Sequence, residues 1–453
     1  MTKNLIVGML VSLGWWEVEP FIVSLKKNCE PCDLMLEVFD EMSEWTLDRV
    51  RKESDESLNI IIKRVPSEFK DKYISYARFK MIDDFIEEHK GEYRQVLMSD
   101  VRDVIFQGDP FKEYADRDSY LVYATEWRKI GNEPTNTSWI MRDHGKEVFE
   151  QIKDKTIACA GTLMGTADEM QIALRELNKY LVLDKFNVHG ADQALLNYLI
   201  HTDKMPVDNL IENSIEKGVI CTNGWHSTPI VDDKILALGG KHIPPVVHQY
   251  ERHASGKQLA DRLYRTHEVV IDKNYDDFRS KLDIADALIR CDKLAEVLTY
   301  LAQIVEVDTS DWKAESKRAM KLFKSFSSKP QSSFNASLTA QLLCQVFMRL
   351  LTHKAVKDVN SIVVNMMYKM TSFAKQSSTT NLKNFNILLG TLTFKMAKMM
   401  EQNSDRKQLT SFLDMIKQLE YPLNSEYYLM SAKNNRLLGN KEQAIEDYKK
   451  SFD

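Results

Sequence analysis

The sequence predicts two structural classes in one chain. An α/β layer with a mainly parallel sheet occupies residues 1–265, and an all-α region of helical hairpins occupies 266–453. Short apolar runs alternate with amphipathic stretches in the first part, which is the pattern of strands joined by crossover helices. After residue 265 glycine and proline nearly vanish, and Leu, Ala, Met and Lys dominate, as in packed helices. At 453 residues the chain is also longer than one hydrophobic core comfortably supports.

Taken in order, Leu5–Val11 and Leu34–Phe39 read as strands, with a helix over Pro20–Asn28 whose Pro20 suits a first turn. Asn59–Lys63 reads as another strand. Tyr73–His89 carries Tyr76, Phe79, Met81, Ile82, Phe85 and Ile86 at helical spacing, and Gly91 follows as a stop. The apolar run from Gln95 reads as a buried strand that ends in Asp100 and Asp103. Tyr120–Ala124, Ile157–Leu163 and Val246–His248 are further strands.

In the second region, helices are expected over Phe278–Cys291, Lys293–Val305, Trp312–Phe326, Ser337–Lys354, Ser361–Phe373, Asn384–Met400 and Lys407–Leu419. Tyr428, Ala432, Leu438, Gly439, Ala444 and Tyr448 fall at the spacing of a tetratricopeptide repeat, with Gly439-Asn440 at its turn. The chain ends near the close of that unit, so a longer parent polypeptide is expected.

Composition narrows the function. Hydrophobic content of 43% and charged content of 28% describe an ordinary globular protein. The net charge of −5 gives no reason to expect nucleic-acid binding. No segment approaches the roughly 18–20 apolar residues that span a bilayer. The first apolar run is soon followed by Glu17 and Glu19, so it reads as a strand rather than a signal. A cytoplasmic protein is expected. Of the six cysteines only Cys29 and Cys32 form a CxxC pair, and a lone pair reads as ordinary reduced thiols.

Four patterns carry chemistry. A parallel strand presents its C-terminal end to a ligand crevice. Asp100 and Asp103 stand there, where carboxylates hold a divalent cation and the cation neutralises a diphosphate. The bland alternative is a solvated acidic turn. Arg78, on the preceding helix, suits a phosphate or one of the acids; the alternative is a surface arginine. Ala160-Gly161 lies among small residues that let backbone approach a ligand, or let strands cross tightly. Downstream, Asp192-Gln193 opens a helix, where Asp192 contacts sugar hydroxyls or merely caps it. Finally, His248 ends a late strand. Alone it reads as a structural histidine; beside two acids it becomes the favoured third ligand.

In combination these motifs resemble the GT-A glycosyltransferases, whose Asp-x-Asp motif is similar to Asp100–Asp103 followed by Val-Ile-Phe. Ala160-Gly161, Asp192-Gln193 and the late His248 come in that superfamily's order. The phrases Ser99–Phe111 and Val247–His253 resemble a less characterised branch found in plants, algae, microbes and large algal viruses. Two residues rather than one separate the acids, so which of them touches the metal is open.

The resemblance covers about residues 1–260. It implies a Rossmann-like GT-A domain, Mn²⁺ or Mg²⁺ on Asp100, Asp103 and His248, and a nucleotide-sugar donor, with UDP-sugars favoured. The nucleoside would lie along Val7 to Trp16, which includes Val11, with Trp15 or Trp16 stacking on the base. Arg78 and Lys257 would add positive charge at the phosphates, and Ala160, Gly161 and Gln193 would border the donor. Asp192 and Glu126 are the catalytic candidates, toward the sugar and the acceptor. Retaining hexosyl or pentosyl transfer is favoured. The acceptor is open between a glycan, a lipid-linked glycan and a protein. The helical region would present it, form a homodimer or bind a protein partner. In a viral chain the site of action would be the host cytoplasm.

Two rival functions are an inactive scaffold working through its helical region and a metal-dependent nucleotidyltransferase or phosphohydrolase. The second usually needs more clustered acids or a Gly-x4-Gly-Lys-Ser/Thr loop, which the sequence lacks.

Overall fold

The computed structural model describes residues 2–39, 42–66, 69, 74–291, 406–418 and 423–452, with single positions between 293 and 397. The chain divides into two compact units: Met1–Met42 with Thr46–Thr266, and Ser43–Trp45 with His267–Asp453.

The first unit runs β1 (Lys3–Leu10), α1 (Trp15–Asn28), β2 (Cys32–Val38), most of α2 (Glu44–Lys52), β3 (Leu58–Arg64), α3 (Ile74–Glu88), β4 (Tyr93–Ser99) and β5 (Val104–Phe106). It continues through β6 (Leu121–Lys129), α4 (Pro134–Ile152), β7 (Thr156–Thr166), α5 (Ala167–Leu181) and α6 (Ala191–His201). The short strands β8 (Leu210–Glu212), β9 (Ile220–Thr222), β10 (Ile230–Val231), β11 (Lys234–Ile235) and β12 (Val246–His248) precede α7 (Ala254–Tyr264).

Seven strands form the main sheet in the order β3-β2-β1-β4-β7-β6-β8. All run the same way except β7, which pairs antiparallel with both β4 and β6. Met35, Val7 and Met98 project from adjacent strands onto Phe79 and Ile82 of α3 and Met170 of α5, forming the core on one face. Phe21 of α1 meets Phe106 of β5 edge to face, with centroids 5.1 Å apart. The chain leaves β1 toward β2 and β3, then returns to β4 on the other side of β1. The C-terminal ends of β1 and β4 therefore flank a topological switch point, where such sheets open a crevice.

The helix expected over Pro20–Asn28 starts five residues earlier, and Pro20 lies inside it. Glu17 explains the early start, because its carboxylate accepts from the Gly14 amide in a capping arrangement. Pro20 has no N–H for the carbonyl of Trp16. The guanidinium of Arg265 donates to that carbonyl instead.

Among the described residues of the second unit are α8 (Phe278–Arg290), α9 (Arg406–Gln418), α10 (Ser425–Leu437) and α11 (Lys441–Lys450). Gly439, at φ +87°, turns α10 into α11, and Ala432 and Ala444 are buried on the two helices. Buried Asp447 accepts from Ser431 at 2.7 Å and Asn435 at 3.0 Å. The helices expected over Lys293–Val305, Trp312–Phe326, Ser337–Lys354, Ser361–Phe373 and Asn384–Met400 lie outside the described residues, single positions aside. No described helix is long and apolar enough to cross a membrane. Cys29, Cys32, Cys159 and Cys221 are free thiols. Burial pushes the Cys29 thiol far up and Cys32 to about 12, so the CxxC pair stays protonated.

Candidate active site

Along a strand, residues three apart face opposite sides. Asp100 and Asp103 escape that rule because β4 stops at Ser99 and both acids lie in the turn before β5. Val101 seats this turn over β1: a Cβ added at Gly8 would stand 2.5 Å from Val101 Cγ2. The missing side chain of Gly8 thus makes room for the turn.

Strand pairing then delivers the histidine. β12 runs antiparallel to β5 with His248 opposite Val104. The next residue, Gln249, sits at φ +61° and donates its amide to the Asp103 carbonyl at 2.7 Å. His248 Nε2 lies 3.5 Å from Asp100 Oδ2 and 3.6 Å from Asp103 Oδ1. One ligand atom from each of the three residues falls within 4.8 Å of the others. The imidazole is 1% exposed, while the Asp100 and Asp103 side chains keep 41% and 20% of their surface. The cluster is open on its carboxylate side.

β7 forms the floor. Gly161 O accepts from the Asp100 amide at 2.7 Å. A Cβ at Gly161 would lie 2.4 Å from His248 Cε1 and 2.7 Å from Asp100 Oδ2. Two residues back on the same strand face, Cys159 Sγ is 3.7 Å from His248 Nδ1. Ala160 turns the other way and packs in the core, while its amide donates to Gln193 Oε1 at 3.3 Å.

Arg78 is buried and donates through Nη1 to Asp100 Oδ1 at 3.0 Å. Burial works to raise the Asp100 carboxyl, but Arg78 and His248 outweigh it and hold the group at about 2. Asp103 is raised, by burial first and then by the Asp100 charge. Asp192, at the start of α6, is likewise raised by burial, and it feels both Arg78 and Asp100.

The donor set suits Mn²⁺ or Mg²⁺. It offers carboxylate oxygens and a single imidazole, with no thiolate among the three. His248 Nε2 is buried without a hydrogen-bond partner, and the imidazole packs directly on the bare Cα of Gly161.

The other predicted residues fall into two groups. Gln193 Nε2 donates to Glu126 Oε1 at 3.1 Å and to Asn136 Oδ1 at 2.8 Å, and Trp225 Nε1 donates to Glu126 Oε2 at 3.0 Å. Asp192, Gln193 and Glu126 therefore adjoin one another at the edge of the cluster. Val11 is half-buried in the loop after β1. Trp15 lies inside α1, 3% exposed, with the Arg49 guanidinium 5.1 Å from its ring centre. Trp16 carries Arg265 over its ring at 4.3 Å. Lys257 is exposed on α7, and no described ion pair joins it to the acids. Sequence reasoning missed Cys159, Asn136 and Trp225. Only Cys159 carried a local signal, being two residues from Gly161 and so on its strand face.

No protein-family model matches the chain, and no curated protein matches it. Among solved structures, the glycosyltransferase GlyE of Streptococcus pneumoniae is similar over 57% of this chain and 60% of its own, at 14% identity and a TM-score of 0.34. Its apo form aligns over 55% and 54%, at 16% identity and 0.35. Core-mannan synthase A of Aspergillus fumigatus, in a Mn/GDP form, aligns over 44% and 70%, at 10% identity and 0.28. The chain thus spans about 60% of the length of GlyE. Likeness this slight leaves the reading of the site to its own residues.

Proposed function

We propose that the chain is a metal-dependent glycosyltransferase that takes a hexosyl or pentosyl group from a nucleotide diphosphate sugar, with UDP-sugars favoured. The observation that carries this reading is the position of Asp100, Asp103 and His248, converged at the switch point of a mainly parallel sheet. The acceptor would be a glycan, a lipid-linked glycan or a protein.

Asp100, Asp103 and His248 would hold Mn²⁺ or Mg²⁺. When bound, the cation neutralises the donor's phosphates and the charge of the departing nucleotide. Arg78 orients Asp100, and its buried Nε and Nη2 have no hydrogen-bond partner, which leaves donors to offer a phosphate. Gly161 permits the close approach of the imidazole and the carboxylate. Gln193 ties the β7 backbone to Glu126, so the donor side and the acceptor side share one support. Asp192 would contact the transferred sugar, and Glu126 the acceptor. The similarity of Asp192-Gln193 and the late His248 to retaining enzymes favours retention.

The test is incubation with Mn²⁺ and a panel of nucleotide sugars, following nucleoside diphosphate and free or transferred sugar. Release of nucleoside diphosphate with intact sugar, lost in Asp103→Ala, is expected. Release of nucleoside monophosphate, pyrophosphate or inorganic phosphate instead would overturn glycosyl transfer in favour of nucleotidyl or phosphoryl chemistry.

A further inference from the structure

Beside Glu126 the surface changes character. Trp127, the next residue along β6, is 43% exposed, an unusual position for so large an apolar ring. Its ring centre lies 4.0 Å from that of His226, and the two planes are inclined at 52°. Trp225 donates its indole N–H to Glu126, and the Arg128 guanidinium lies 4.1 Å from its ring centre. No carboxylate among the described residues pairs with Arg128. Two neighbouring groups, Trp127 with His226 and Trp225 with Glu126 and Arg128, thus lie at the end of β6 and the loop after β9.

We propose that Trp127, Trp225 and His226 form a subsite for a sugar ring of the acceptor. A pyranose presents C–H groups on its faces, and their slightly positive hydrogens sit well on the negative face of an aromatic ring. Its hydroxyls point outward from the rim and take planar bidentate partners such as a carboxylate or a guanidinium. This surface supplies both kinds of contact: the exposed indole of Trp127 for a face, and the Arg128 guanidinium for the rim, while buried Glu126, already accepting from Gln193 and Trp225, holds Trp225 in place.

The link to the cation cluster is a short chain of hydrogen bonds. Trp225 and Gln193 both donate to the Glu126 carboxylate, and Gln193 Oε1 accepts from the Ala160 amide, next to the Gly161 carbonyl that holds the Asp100 amide. A sugar on the indoles would therefore rest on side chains tied to the β7 backbone that supports Asp100. Calling the bound ring the acceptor rests on the glycosyl-transfer reading; the sugar recognition itself does not.

The experiment labels the protein with 5-fluorotryptophan and follows ¹⁹F NMR signals while adding methyl α- and β-glycosides of glucose, galactose, mannose, xylose and N-acetylglucosamine. The Trp127 and Trp225 signals should shift saturably with at least one glycoside. Trp127→Ala should weaken the response at Trp225 about tenfold, the loss expected for one stacked ring. Asp103→Ala should leave the response intact. Silence of both signals toward every glycoside would overturn the subsite, as would a Trp225 response indifferent to Trp127→Ala or abolished by Asp103→Ala. If the glycosides bind as expected but no nucleotide sugar is consumed, glycosyl transfer fails while the sugar subsite stands.

Discussion

His248 stands opposite Val104 in the pairing of β12 with β5, and Val104 is the residue immediately after Asp103. One antiparallel register therefore joins two ligands that are 145 residues apart in sequence (248 − 103). A slip of one residue would point the imidazole to the other side of the small sheet.

Gly161→Ala should break the cluster while leaving the fold in place. The added methyl would collide with His248 Cε1 and Asp100 Oδ2. Overpacking of this kind costs about 1–3 kcal/mol. We expect the rise in melting temperature that Mn²⁺ gives the wild type to vanish, with an unchanged circular dichroism spectrum. An undiminished Mn²⁺ shift would show that the three side chains do not act together.

Cys159 holds the histidine from behind. For Nε2 to coordinate, the ring proton must sit on Nδ1, where Sγ at 3.7 Å accepts it. Cys159→Ala removes this acceptor and should weaken Mn²⁺ binding about 10–100-fold, the usual size of such supporting contacts. Cys159→Ser should recover most of the loss. Electron paramagnetic resonance titration of free Mn²⁺ reads both, and equal affinity in wild type and alanine variant would remove Cys159 from the site.

The bond from Arg265 to the Trp16 carbonyl predicts a specific rescue. Arg265→Met leaves that carbonyl without its donor and should cost about 1–3 kcal/mol. Pro20→Ala restores a backbone N–H four residues along, so its effect should be more favourable in the Arg265→Met background than in the wild type. Urea unfolding of the four proteins tests the cycle. Strict additivity would show that the arginine does not substitute for the missing amide.

His144 gives stability a pH dependence away from the cluster. It stacks on Tyr198 with centroids 4.4 Å apart, and burial, aided by Lys185 and Lys204 against Asp143, brings its imidazole down to about 4. The ordinary value is 6.5. Between these values the unfolded chain binds more protons than the folded one, so stability falls as pH drops through that window. His144→Phe keeps a ring on Tyr198 without the titration. Urea midpoints from about pH 7 to about pH 5 should therefore decline less steeply in the variant than in the wild type. Parallel declines would contradict this assignment.

Much of the site was legible because its parts have local signatures. An apolar run ending in two acids marks a strand end facing a crevice, and β4 ends at Ser99, just before Asp100. Gly161 stood out among small residues, and His248 gained meaning only beside the acids. Pro20 was misplaced because the donor that compensates it, Arg265, is remote in sequence. The reversed direction of β7 was not legible, since apolar runs look alike in either orientation. Asn136 and Trp225 were missed because their partners, Gln193 and Glu126, come from separate elements brought together only by folding. The expectation that Trp15 stacks on a base meets a ring already covered by Arg49.

Three successive residues of β7 each serve a different neighbour: Cys159 meets His248, the Ala160 amide meets Gln193, and the Gly161 carbonyl meets Asp100. Saturation mutagenesis should accordingly find this tripeptide less permissive than the acidic turn it supports. A single-residue deletion there would exchange inward and outward faces, unseating imidazole and amide in one stroke.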